Sequence, residues 1–262
     1  MSEYFAHKVV VVTGATSGIG RATVHALCRK GASVVAASRN DASLKTLQQE
    51  LPNTAGKYLG VRTDVTDRAQ VEQLMRAAVE RFGTVDVVVC SAGVYLRRPI
   101  RELTFADYER VMAINFYGVL YCIHAVLPLM LKQRSGSIAV VSSIDGKKGL
   151  PPDGAYVASK FAINGVLDVL RQELRGTGVF VSTVLPARVD TPMIAHLKVP
   201  AVSPKIPSER VAKALLCAIR RKKAETVVPY WGPKTLVILS ALSARVGDWL
   251  VRTFGLEGRE EN

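Results

Sequence analysis

The sequence predicts an α/β fold: a doubly wound parallel sheet of about seven strands with helices on both faces. Three observations predict it. Short β-branched runs alternate with longer amphipathic stretches along 262 residues, the pattern of repeated strand–helix–strand units. The β-branched runs show almost no polar alternation, as expected of strands covered on both faces. A glycine turn follows the first run directly and opens a helix-like stretch that reaches Arg29.

The strands are expected at 8–13 (KVVVVT), 33–37 (SVVAA), 57–62, 85–90 (VDVVVC), 137–142 (SIAVVS), 179–185 (VFVSTVL) and 225–229 (ETVVP). Helical patterns fill the gaps. Residues 68–82 carry Val71, Leu74, Met75, Ala78 and Val79 at helical spacing, with Asp67 placed to cap the N-terminus. Residues 210–221 repeat the pattern with Val211, Leu215, Ala218 and Ile219. No short-period repeat, low-complexity tract or linker divides the chain, so residues 1–262 are expected to form one domain.

Composition excludes several classes. Cys28, Cys90, Cys122 and Cys217 lie far apart in apolar surroundings, without metal-ligand or disulfide-framework spacing, and are expected as buried thiols in a reducing compartment. The four histidines show no metal spacing; His196, just after Pro192-Met193-Ile194-Ala195, is the one placed to meet a substrate. Met1 to Lys8 carries no apolar signal region, and no apolar run is expected to reach a membrane-spanning length of roughly 18 residues. A cytoplasmic protein follows from this reading. Thirty-five lysines and arginines against 22 acids give a net charge of +13, which favours anionic partners. The basic residues, Arg97, Arg98, Arg101, Lys147 and Lys148 among them, are scattered and form no nucleic-acid motif, so a solvated basic surface is expected.

The turn after the first strand is Thr13-Gly14-Ala15-Thr16-Ser17-Gly18-Ile19-Gly20. Its glycines allow a tight turn, and the free N–H groups of Gly18, Ile19 and Gly20 at the start of the helix attract anionic oxygens such as a pyrophosphate. The second strand ends in Ser38-Arg39-Asn40, with no carboxylate before Asp41. A carboxylate there would accept a ribose hydroxyl, whereas Arg39 suits a 2′-phosphate and so points to NADP(H). Tyr156 and Lys160 stand four apart, one helical turn, and leave one helix face. An ammonium beside a phenol lowers the phenol's pKa towards the range a general acid/base needs. Ser142 and Ser143 end the fifth strand, at the edge where open parallel sheets bind their ligands. No nucleophile elbow surrounds any serine, which removes a serine hydrolase from consideration.

Over residues 7–193 the chain resembles the short-chain dehydrogenase/reductase family, whose fold is Rossmann-like. The matching pieces are Thr13 to Gly20, Asp64-Val65, Ala92-Gly93, Asn115, Ser142-Ser143, Tyr156 with Lys160, and Pro186 to Thr191, all in order. The resemblance implies a carbonyl/alcohol oxidoreductase with a tetrad. Tyr156 would exchange a proton with the substrate oxygen, Ser143 would hydrogen-bond that oxygen, and Lys160 would tune Tyr156 and hold the nicotinamide ribose. Asn115 would hold a water in a proton relay. The resemblance also implies that Asp64 and Val65 meet the adenine and that Val189 and Thr191 meet the carboxamide. With Gly14, Ser17, Ser38, Ala92 and Gly93 these complete the expected cofactor site. Each residue also has a plainer reading: Ser142 and Ser143 as loop caps, Asn115 as a helix polar residue, Asp64 as a turn residue, Arg39 as a surface arginine.

Two departures stand out. Cys90-Ser91 replaces the family's Asn-Asn, which puts the rigidity of the fourth strand's end in question, and Pro186-Ala187 replaces Pro-Gly, which implies negative φ at Ala187 or mild strain. Beyond Thr191, residues 192–207 suggest a flexible substrate loop, and residues 230–255 an apolar helical extension. That extension is expected to pack over the pocket, to join a homodimer or homotetramer, or to rest on a membrane with its basic residues at the head groups. An apolar lid favours a lipophilic small-molecule alcohol or ketone. A 3-oxoacyl-carrier reductase, a silent nucleotide-binding scaffold and a basic protein docking on an acidic partner remain as alternatives.

Overall fold

In the computed structural model, residues 3–52 and 57–260 are described, so Met1 and Ser2 of the N-terminal stretch lie outside the description. Seven parallel strands form the central sheet: β1 (Val9–Thr13), β2 (Ser33–Ser38), β3 (Tyr58–Arg62), β4 (Val87–Cys90), β5 (Gly136–Val141), β6 (Val179–Pro186) and β7 (Glu225–Val228). Their order is β7-β6-β5-β4-β1-β2-β3, so the direction of winding reverses between β1 and β4. Crossovers diverge at that point and leave a crevice beyond the strands' carboxyl ends.

The valine-rich strands are buried because helices cover both faces. One layer holds α1 (Gly18–Cys28), α2 (Asp41–Glu50) and α7 (Ser208–Arg220), whose Val24, Leu27, Leu44, Leu47, Leu215 and Ile219 pack on Val10, Val12 and Val34. The opposite layer holds α3 (Arg68–Phe82), α5 (Gly118–Gln133) and α6 (Gly154–Glu173), with Leu74, Val126, Met130, Ile163 and Leu167 against Val11, Val35 and Ile138. Side chains at successive strand positions point to opposite faces, which is why Val10 and Val11 belong to different layers. Asp67 caps α3 by accepting from the Gln70 N–H, as its position predicts.

Gly14 adopts φ +63°, and a Cβ there would lie 2.7 Å from the Ala92 Cα, so the first turn closes against the β4 loop only with glycine. Gly20 sits behind the same turn, where a Cβ would strike the Gly14 carbonyl.

Two expectations change. The run Phe105–Gln133 is long and apolar enough to pass for a membrane span. It joins α4 (Phe105–Met112), a π-helical turn (Ala113–Tyr117) and α5, and its apolar side is spent on the core through Val111, Val119, Cys122, Val126 and Met130. The segment after Thr191 is pinned: Leu197–Lys198 pairs antiparallel with Arg259–Glu260, and Ile206–Pro207 pairs parallel with Val189–Asp190. Leu197 and Ile206 are buried, which a loose loop would not achieve. The apolar extension is a hairpin of α8 (Trp231–Leu242) and α9 (Ala244–Thr253), broken at Ser243, whose side chain caps α9 by accepting from the Val246 N–H. Val237 of α8 packs on Ile144, Leu185 and Val227, which anchors the hairpin over the carboxyl end of the sheet.

Candidate active site

The crevice opens into a cavity of about 860 Å³ that runs from the first glycine turn to the C-terminal hairpin. One end is walled by Gly14, Ser17, Gly18, Ile19, Ser38, Arg39, Asp64, Val65, Ala92 and Gly93, all of them expected at a cofactor. Ser17 precedes α1 in extended conformation and makes no side-chain cap bond, so the first-turn N–H groups stay available to an anion. Ser38 Oγ and Thr16 Oγ1 lie 3.0 Å apart, tying the end of β2 to the glycine turn. Arg39 is exposed at the rim. The residues present therefore fit a dinucleotide.

Three expected residues do not reach the cavity wall. Gly20 backs the turn, and Asn40 caps α2 by accepting from the Ser43 N–H at 3.1 Å. Asn115 is buried in the π-helical turn: its Oδ1 accepts from the Val94 N–H at 2.8 Å, and its Nδ2 donates to the Val94 carbonyl and to Ser159 Oγ. Asp64 lines the cavity while its Oδ1 accepts from the Thr66 N–H and hydroxyl, which is also what a turn residue does. His196 is exposed and outside the wall, so the substrate contact considered for it is not formed.

At the middle of the cavity Ser143, Tyr156 and Lys160 converge. Ser143 follows β5, while Tyr156 and Lys160 leave the first turns of α6. All three line the cavity. Lys160 Nζ donates to the Val141 carbonyl at 3.2 Å and lies 5.5 Å from the centroid of the Tyr156 ring. Tyr95 stands edge-on to Tyr156 with centroids 5.1 Å apart and holds the ring's position. Burial pushes the Lys160 ammonium down to about 8, with Asp145 opposing the shift. Burial also pushes the Tyr156 phenol up, and Asp145 and Asp153 add to the rise while Ser143 opposes it. Burial and the two carboxylates thus favour the neutral phenol, the opposite direction to the lowering expected from Lys160.

The two departures are absorbed locally. Thr13 Oγ1 accepts from the Ser91 and Ala92 N–H groups, doing for the end of β4 what a side-chain amide would do. Cys90 is buried, as is Cys122. Ala187 has ordinary negative φ.

A charged cluster that single-residue reading missed lies beside this group. Asp153 accepts from the Tyr95 hydroxyl at 2.8 Å, and Arg97 Nη1 lies 3.7 Å from the same carboxyl oxygen. Asp145 Oδ2 lies 3.2 Å from Ser143 Oγ, which in turn accepts from the Asp145 N–H at 3.1 Å. Burial raises Asp145 to about 6 and Asp153 to about 7, against the opposing pull of Arg188 on both. Arg97, expected on a solvated surface, has a side chain only 11% exposed. The available signal was proximity: Asp145 is two residues after Ser143, Asp153 three before Tyr156, and Arg188 lies between Pro186 and Thr191.

The hairpin completes the cavity wall with Trp231, Leu236, Leu239, Leu250 and Phe254, and the chain beyond it with Leu256. Arg97 donates to the carbonyls of Glu257 and Gly258, and Arg188 to that of Leu256, so both guanidiniums clamp the C-terminal segment over the cavity.

A parallel sheet with this reversal, a glycine turn at its crevice and a Ser–Tyr–Lys group beside it define a dinucleotide-binding oxidoreductase. The model of the family described as short chain dehydrogenase matches residues 8–200, and the chain belongs to that family. An uncharacterised oxidoreductase of Listeria innocua is 37% identical over 190 residues, covering 72% of this chain and 77% of that one. Another, from Staphylococcus aureus strain N315, is 36% identical over 216 residues, covering 82% and 92%. Among solved structures, a short chain dehydrogenase/reductase from Burkholderia phymatum in complex with NAD superposes with TM-score 0.85 at 27% identity, covering 92% of this chain and 95% of that one.

Proposed function

We propose that the chain acts as a single-domain NADP(H)-linked reductase of lipophilic ketones, or the corresponding secondary-alcohol dehydrogenase. The observation that carries the proposal is the meeting of Ser143, Tyr156 and Lys160 in one cavity at the carboxyl edge of β5, with Lys160 held to the Val141 carbonyl beside the Tyr156 ring. When bound, NADP(H) supplies the hydride. The protein's part is position and proton control. Tyr156, held neutral by burial, gives its hydroxyl proton to the carbonyl oxygen during reduction. Ser143 donates a hydrogen bond to the same oxygen and stabilises its developing charge. Lys160, lowered to about 8, can hand a proton inward and regain it near neutral pH. The Asn115 side chain is committed to Val94 and Ser159, so holding a relay water falls to its main chain in the π-helical turn.

Ser17, Gly18 and Ile19 would receive the pyrophosphate, and Arg39 at the end of β2, with Ser38 and no carboxylate beside them, supports NADP(H) over the NAD of the Burkholderia phymatum protein. Val189 and Thr191 would receive the carboxamide. Apolar side chains of the hairpin support a lipophilic substrate. The test is a panel of ketones and secondary alcohols with each cofactor, read by nicotinamide absorbance. NADPH-dependent reduction of large apolar ketones is expected. No turnover of any of them with either cofactor would remove the reading.

A second reading concerns the tail. Trp231 and Leu242 are about four-fifths exposed, and Ile238 and Trp249 about half, with Arg245 and Arg252 beside them. This supports a cytoplasmic homo-oligomer that also touches a membrane surface through the hairpin. Flotation with anionic liposomes tests the contact, and a protein that stays at the bottom of the gradient would refute it.

A further inference from the structure

Asp145 is in contact with Ser143 through its carboxylate. It sits on the short turn Ile144–Gly146, held down by the Asn164 Nδ2 bond to the Gly146 carbonyl. Its two oxygens differ. Oδ2 faces Ser143 Oγ at 3.2 Å, whereas Oδ1 is fully buried with no hydrogen-bond partner. A carboxylate with an orphaned oxygen in a desolvated place is costly, and the neutral acid relieves that cost.

Resting on the carbonyl reductase reading, we propose that Asp145 is a positioning residue that sets where the Ser143 hydroxyl points, and that only its protonated form leaves that hydroxyl free for the substrate oxygen. Hydrogen counting gives the reason. Ser143 has a single O–H. Beside the Asp145 carboxylate, the Ser143 hydrogen is drawn to Oδ2, and nothing is left to donate to a developing oxyanion. With the proton on Oδ2, Asp145 donates to Ser143 Oγ, and the serine hydrogen turns towards Tyr156 and the substrate. No bond to carbon changes in this step; one proton moves between Asp145 and solvent.

The surroundings bear on the titration from several sides. Lys160 of α6 and Arg188 beyond β6 favour the carboxylate, while burial favours the acid and prevails. Tyr156 and Asp153 also face this group electrostatically, and Asp153 is itself raised, so Asp145 titrates beside a second acid in the same cavity. On its own turn, Lys147 is turned away and paired with Glu225 at 2.9 Å, and Lys148 with Asp248.

The test compares full-length wild type, Asp145→Asn, Asp145→Ala and Asp153→Asn in ketone reduction across pH 5 to 9, with cofactor binding by nicotinamide fluorescence as a folding control. In wild type, kcat is expected to fall with rising pH through about 6, by about tenfold per unit until the limb is complete. That limb is expected to vanish in both Asp145 variants and to persist in Asp153→Asn. A merely structural role would lower kcat at every pH and leave the limb in place. A wild-type profile flat below pH 7, an unchanged limb in both Asp145 variants, or a limb lost only in Asp153→Asn would overturn the inference.

If no ketone is reduced by wild type at any pH, the functional reading fails, and substrate-free infrared spectroscopy tests the Asp145–Ser143 coupling alone. A protonated carboxyl band at pH 5 that is absent from Asp145→Asn and shifts in frequency in Ser143→Ala is expected. A band indifferent to Ser143→Ala, or no such band at pH 5, would overturn it.

Discussion

Lys160 and Tyr156 leave α6 one turn apart, and the Lys160 ammonium sits 5.5 Å from the Tyr156 ring centroid while it donates to the Val141 carbonyl. The lysine is therefore fixed from the β5 side and the phenol from the Tyr95 side, so removing one hydroxyl leaves the frame intact. Tyr156→Phe keeps the edge-on contact with Tyr95 and loses only the acidic proton. We expect kcat to drop by about 10³-fold or more, with the Kd for NADPH within about twofold of wild type. Single-turnover absorbance and fluorescence titration measure the two quantities. Wild-type turnover in this variant would exclude Tyr156 as the proton donor.

Arg39 tests cofactor choice. It lies at the cavity rim after β2, where Ser38 is held by Thr16 and contributes no charge. A forked guanidinium contact to a 2′-phosphate strengthens binding by roughly 1–3 kcal/mol, so Arg39→Glu is expected to weaken NADPH about tenfold to a hundredfold. NADH, which lacks that phosphate, is expected to change little. Equal losses for both would show that Arg39 acts on the fold or on the shared part of the molecule.

The strands were legible because both faces of β1, β2, β4 and β5 are covered, which writes short valine-rich apolar runs into the sequence. Tyr156, Lys160 and Ser143 were legible because short spacings within α6 and after β5 fix their relative places. The Asp145–Asp153–Arg97–Arg188 cluster was not. Its members come from four separate segments, and only the folded cavity decides whether a charge is solvated, as Arg97 illustrates. Spacing likewise reveals the ammonium near Tyr156 and conceals the burial and the carboxylates that push the phenol up.

Asp153 gives the stability prediction. Burial raises its carboxyl to about 7, well above the ordinary carboxylate range near 4, so over that window the folded chain keeps a proton that the unfolded chain has released. The contribution to stability is therefore complete below about pH 4 and is lost as pH rises through about 7. Asp145, raised to about 6, acts with the same sign. Asp153→Asn, which cannot ionise, is expected to reduce the loss in unfolding free energy between pH 5 and pH 8 by roughly 1–3 kcal/mol. Urea melts at both pH values measure it. The same loss in both proteins would mean that Asp153 does not carry the dependence.

The C-terminal hairpin separates substrate binding from cofactor binding. Trp231, Leu236, Leu239, Leu250 and Phe254 line the cavity from the hairpin, whereas Arg39 and the first glycine turn line it from the ends of β2 and β1. Arg97 and Arg188 also lose their carbonyl acceptors at Leu256, Glu257 and Gly258 if the tail is removed, a loss of three charge-assisted hydrogen bonds. A chain ending at Tyr230 is expected to melt several degrees lower, so cavity-side substitutions are the cleaner probe. Leu239→Ala with Leu250→Ala removes apolar wall without touching either arginine. We expect KM for a long-chain ketone to rise about tenfold or more, KM for a short one to change by less than about threefold, and the Kd for NADPH to stay constant. The discrimination follows from area: a short ketone held at Ser143 and Tyr156 buries less apolar surface than a long one, so it is expected to lose less with the two leucines. Equal changes for long and short ketones would place the apolar part of the substrate elsewhere.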